Sequence, residues 1–71
     1  MWIKVQGENK IVEIKGEIFV ENLDDRGLVC GTLRNGSAIL GTYSPKKAEK
    51  VFREIWIAIA SGRNWFEMPE A

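Results

Sequence analysis

Ser44-Pro45-Lys46-Lys47-Ala48-Glu49-Lys50-Val51-Phe52-Arg53-Glu54-Ile55-Trp56-Ile57-Ala58-Ile59-Ala60-Ser61-Gly62 decides the fold, because it is the one stretch that reads as a helix. Ser44 is placed as an N-cap whose hydroxyl oxygen can accept an orphan N–H of the first turn. Pro45 follows at the first helical position, where its missing N–H costs nothing. Gly62 is free to take the left-handed conformation that closes a helix. The spacing therefore predicts a helix over 45–61. Ala48, Phe52, Ile55 and Ile59 fall on one stripe, flanked by Val51, Trp56 and Ala58, and that stripe is expected to face a sheet. Lys46, Lys50 and Arg53 lie opposite. Ile57 falls in line with these basic residues, so the last turns are apolar nearly all round. A helix end of that kind asks for cover from more than one side, supplied by the chain's own tail or by another subunit.

Everything before the helix reads as strands. Residues 2–6 are β-rich, with Ile3 and Val5 on one face against Trp2 and Lys4. Residues 10–15 put Val12 and Ile14 on one side and Ile11 on the other. Gly16 breaks or kinks the chain, and 17–22 follow with Ile18 and Val20 opposite Phe19. Asp24-Asp25-Arg26-Gly27 is a turn by composition, with Gly27 expected to carry the positive φ. Strands over 28–33 and 38–43 flank Arg34-Asn35-Gly36-Ser37, where Asn-Gly predicts a type I′ hairpin. Strands first and helix last give an α+β class: one domain over 1–71, an antiparallel meander of about five strands, strongly curved, with one helix packed on it. The tail, 62–71, is too aromatic to hang free. Trp65, Phe66 and Met68 should dock on the sheet, on the helix end or on a neighbouring subunit.

At 71 residues the chain is near the size at which one core needs outside support. One cysteine, Cys30, excludes an intrachain disulfide, and the absence of histidine leaves no zinc site. Oligomerisation is the remaining support, so a homo-oligomer is expected, with Trp56, Ile57, Ala60, Trp65, Phe66 and Met68 as its candidate interface. Ten basic and ten acidic residues cancel, which argues against a nucleic-acid binder that must displace counterions. Stacking on Trp2, Phe19 and Trp65 leaves weak single-strand binding as a third-ranked reading. No apolar run spans a bilayer and no signal-peptide pattern opens the chain, so a soluble cytoplasmic protein without a membrane partner is expected.

The residues that chemistry needs are missing. Without histidine there is no Ser-His-Asp or Cys-His arrangement, and neither a Gly-rich phosphate loop nor a dinucleotide fingerprint is present. Cys30 reads as a buried strand thiol, and Glu17, Glu21, Asp24 and Asp25 as solvated carboxylates. No enzyme, metal or cofactor is expected. The one local ligand feature is the approach to the helix, where Thr42, Tyr43 and Ser44 lie beside orphan N–H groups that attract anions. Lys46 and Lys47 oppose the macrodipole there, a cost that a bound phosphate would offset. Arg34 and Arg63 are the further anion contacts, if folding brings them near.

Met1-Trp2-Ile3, then Ile39-Leu40-Gly41-Thr42-Tyr43-Ser44, the single helix, Gly62, and Phe66-Glu67-Met68-Pro69-Glu70 carry a resemblance. In that order they resemble a family of short phage and prophage proteins with an Ile-Leu-Gly-x-Tyr-Ser hinge and a Phe-x-Met-Pro end. Lys46 and Lys47 depart from the acidic residues such proteins often carry after the hinge. The resemblance implies phage provenance and hence a host-cell cytoplasm. By analogy of class it implies an anti-defence role, in which small homo-oligomers sequester nucleotide-derived immune signals in pockets between subunits. The expected function is thus non-enzymatic binding of such a signal. The alternative is a module that inhibits or recruits a host protein.

Overall fold

Alternation along the first strand survives folding: Ile3 and Val5 are buried while Trp2 points out. The structure, a computed structural model, describes residues 1–71. In chain order it contains β1 (Trp2–Lys4), β2 (Ile11–Glu13), β3 (Ile18–Leu23), β4 (Arg26–Leu33), β5 (Gly36–Tyr43), α1 (Pro45–Ala60) and β6 (Trp65–Glu67). The α+β class holds, with one helix after the run of strands. The single five-stranded meander does not. The strands form two three-stranded sheets, ordered β2-β1-β6 and β3-β4-β5.

The sixth strand comes from the tail, and it pairs parallel with β1 in the register Trp2↔Trp65, Ile3↔Phe66 and Lys4↔Glu67. Its alternation turns Phe66 inward against the core and leaves Trp65 exposed, while Met68, just beyond it, is buried. Two corners stitch the sheets together. At one, Gln6 N donates to Leu40 O (2.9 Å) and Thr42 N donates to Gln6 Oε1 (2.7 Å). At the other, Lys15 N donates to Thr32 O (2.8 Å) and Thr32 N donates to Glu17 O (2.9 Å). The chain from 11 to 23 thus leaves one sheet and enters the other at the Gly16 bend, as strands do at the corners of orthogonally packed sheets.

Both helix caps form. Ser44 Oγ accepts from Lys47 N (3.2 Å). At the far end Gly62 has φ 84°, Gly62 N donates to Ile59 O (3.0 Å) and Arg63 N donates to Ala58 O (3.0 Å). That double bond pattern is a Schellman motif. Ser61 lies one residue past the helix and caps it.

The helix is rotated from the expected stripe. Its buried residues are Ala48, Val51, Ile55 and Ala58, with Phe52 half-buried and Ile59 exposed on the flank. The cause lies in the sheet beneath. Gly27 presents bare backbone to the helix start, against Ala48, Pro45 and Ser44, so Ala48 approaches closely and the larger Phe52 and Ile59 are displaced sideways. Gly27 is therefore a packing glycine. The positive φ of its turn belongs to Asp24, at 56°. The second hairpin departs from type I′ as well. Leu33 pairs with Gly36 across Arg34 and Asn35, neither of which has positive φ, and Gly36 takes it at 135°.

Ten residues make the core: Ile3, Val5, Ile14, Val29, Leu40, Tyr43, Ala48, Val51, Ile55 and Met68. Tyr43 is its one aromatic. No helix is long and apolar enough to cross a membrane.

Candidate functional site

The approach to α1 is the first place to look, because orphan N–H groups there favour anions. Thr42, Tyr43 and Ser44 do lie together, but the Thr42 N–H and the Tyr43 and Ser44 hydroxyls are engaged within the chain. Thr42 N is taken by Gln6 and the Ser44 hydroxyl by Lys47 N. Tyr43 Oη donates to Pro69 O (2.7 Å), and Lys47 Nζ donates to Glu70 O (2.8 Å). The tail lies across the helix start, its carbonyl oxygens meeting the lysine and tyrosine donors. Lys46 stays in solvent. A cleft of about 420 Å3 remains beside it, lined by Asp25, Arg26, Thr42, Tyr43, Ser44 and Ala71.

Arg34 and Arg63 do not join this cleft. Arg34 sits in the β4–β5 turn, whereas Tyr43 pairs with Gly27 at the other end of the same hairpin. At about 3.3 Å per residue the two ends are roughly 20 Å apart. Arg63 follows the helix C-terminus, roughly 24 Å from its start at 1.5 Å per residue. The basic group the fold supplies instead is Arg26, opposed by the Asp25 carboxylate. Its place was hidden because it depends on Gly27 pairing with Tyr43, sixteen residues along.

Burial pushes the Tyr43 hydroxyl up to about 12, aided by the charges of Glu70 and Glu54. An unfolded tyrosine ionises near pH 10. The native state therefore keeps its proton through a window in which the unfolded chain loses it. Stability should be level below about pH 10 and fall between 10 and 12, by on the order of 2 kcal/mol. Urea midpoints across that range should show the fall in the wild type and a shallower one in Tyr43→Phe.

The second region is aromatic. All three tryptophans are exposed: Trp2 at 43%, Trp56 at 67% and Trp65 at 58%. Trp2 and Trp65 are Cα partners on neighbouring strands and share the outer face of their sheet. The Arg63 guanidinium lies 4.1 Å from the Trp65 ring centroid, a cation–π contact. Phe19, the third aromatic in the stacking set, is on the other sheet, paired with Cys30. Of the expected interface residues, Trp56, Ile57, Ala60 and Trp65 are exposed. Phe66 is half-buried, and Met68 is spent in the chain's own core.

A groove of about 220 Å3 runs along the flank of α1, lined by Gly16, Ile18, Phe52, Ile55, Trp56 and Ile59. Cys30 is buried, and burial followed by the Glu21 charge pushes its thiol up, away from the reactive thiolate. No three Cys, Asp or Glu side chains lie close enough together to hold a metal ion.

Fold and surface define a small α+β domain with an aliphatic core and an aromatic exterior. No family model, curated protein or solved structure matches this chain.

Proposed function

We propose that the protein is a non-enzymatic, homo-oligomeric binding protein of the phage type, which captures a planar, nucleotide-derived signal of the host. One observation carries this reading: the chain spends all three of its tryptophans on its surface and none in its core. Exposing rings of that size is costly, and tryptophan dominates binding surfaces because it offers a large rigid face. The paired Trp2 and Trp65 make a stacking platform, and Arg63, stacked over the Trp65 ring, is the cation that would meet a phosphate at its edge. A single copy leaves that platform open, and small-molecule sites bury most of their ligand. A second copy would supply the missing wall.

The test is calorimetry and thermal shift against a panel of cyclic nucleotides and ADP-ribose isomers. A ligand at a hundredfold excess over its Kd stabilises by about 2.7 kcal/mol, which in a domain of this size raises Tm by roughly 10 °C or more. Trp65→Ala should then weaken binding about 10- to 100-fold, the range of one lost stacking contact. A flat panel would overturn the nucleotide reading. The second reading, a module that binds a host protein, draws on the exposed Trp56, Ile57 and Ile59 of α1, and a flat panel would leave it standing.

A further inference from the structure

The outer edge of β3 is a free strand edge six residues long, whereas Gln6 engages part of the opposite edge, on β5. β3 ends the order β3-β4-β5, so only one of its sides is paired. Thr32 N donating to Glu17 O turns the odd-numbered residues toward β4. By the alternation of an antiparallel ladder, the N–H and C=O groups of Ile18, Val20 and Asn22 point away from the sheet. None of these groups makes a backbone hydrogen bond. Natural edges are usually blunted by proline, lysine or a bulge, and Ile18-Phe19-Val20-Glu21-Asn22-Leu23 has none of the three. Beside this edge lies the groove formed by Ile18 and the Phe52, Trp56 and Ile59 flank of α1.

We infer that this edge and groove together form a strand-addition interface, and that its occupant is β3 of a second copy, antiparallel across a two-fold axis. This rests on the homo-oligomer part of the proposed function alone: β3 lies on the sheet that does not carry Trp2 and Trp65, so the joint is a contact separate from the one that would wall their platform. In the register that centres the axis on Val20, Ile18 meets Asn22 of the other copy, Val20 meets its counterpart, and the open backbone groups of all three residues are satisfied. The two helices then lie on the same side of a six-stranded sheet, so each apolar groove borders the joint.

Two further features fit a second copy. Charge is self-complementary: the chain is neutral, and helical spacing puts Glu49 and Arg53, one of each sign, on the rim beyond Trp56. An isologous contact needs such a pairing, because each residue meets the other's partner. Exposed apolar surface borders the edge as well: Trp56 is 67% and Ile59 50% exposed, and a second copy paired along β3 would cover both.

Sedimentation equilibrium of the wild type, Asn22→Pro and Trp56→Glu tests the inference. Asn22 is exposed and its N–H points outward, so proline there blocks the edge without breaking a bond to β4. The wild type should weigh twice the 8.1 kDa of the chain, and each variant should raise the dimer dissociation constant at least tenfold with an unchanged circular dichroism spectrum. If Asn22→Pro fails to fold, Trp56→Glu decides alone, since its side chain is exposed. A folded variant that dimerises as tightly as the wild type overturns this interface while leaving the oligomer reading intact. A wild type that is monomeric up to 500 µM, a concentration of about 10⁻³ M order where weak contacts form, overturns both. Ligand binding at Trp2 and Trp65 is read separately and by a different signal.

Discussion

A chain ending at Asn64 is expected to be unfolded at 25 °C, as read by loss of cooperative urea unfolding and of its far-ultraviolet dichroism. The deletion removes β6 and with it the parallel partner of β1. It also removes Met68, which is 4% exposed and part of the core cluster. Losing a buried side chain of that size costs roughly 2–5 kcal/mol. Tyr43 then loses the Pro69 carbonyl that accepts its hydroxyl, a hydrogen bond worth a further ~0.5–1.5 kcal/mol. A domain of 71 residues has only about 4–10 kcal/mol of net stability. The deletion should therefore consume most or all of it. A shortened chain that keeps its midpoint would mean that the tail merely rests on the surface. The smaller change Met68→Ala should retain the fold with a midpoint lowered by the buried side chain's share alone.

Local signals were legible in the sequence and non-local ones were not. The Ser44 cap, the Gly62 stop and the Ile3/Val5 alternation each depend on a few neighbouring residues, and all three are present as read. The role of Trp65-Phe66-Glu67 depends on a strand sixty residues away. Three residues, with a proline two positions beyond, carry too little pattern to announce a parallel partner. What the tail's composition did announce was burial, which Met68 and Phe66 fulfil within the chain. The anion set failed for the same kind of reason. Helix-end chemistry is local and drew attention to Thr42, Tyr43 and Ser44, yet which arginine arrives there is a question of strand register. Trp56 and Trp65, expected at an interface, are exposed, and the largely aliphatic core leaves Trp2 outside as well. Trp2 was visible as the outward residue of its strand, but its pairing with Trp65 waited on β6.

Gly27→Ala is expected to cost about 1–3 kcal/mol, because it pushes α1 off the sheet where Gly27 and Ala48 meet. A Cβ on Gly27 would lie 2.5 Å from Ala48 Cβ, 3.1 Å from Pro45 Cα and 3.3 Å from Ser44 O. Two of those neighbours are backbone atoms of the helix start and cannot swing aside, so the strain is that of an overpacked core. The same contact explains the rotation of the helix. Side-chain size alone would have turned Phe52 and Ile59 inward, but the bare glycine opposite Ala48 sets the approach, and Val51, Ile55 and Ala58 follow on the same face. Ala48→Gly should relieve the shortest contact at its own cost of about 1 kcal/mol in helix propensity. The double variant should then be more stable than the sum of the two single losses by about 1–2 kcal/mol, a coupling that separates direct contact from general loss of strand propensity. Strict additivity in urea midpoints would instead place the damage within β4 itself. The full rescue is not expected, since Pro45 and Ser44 remain where they are.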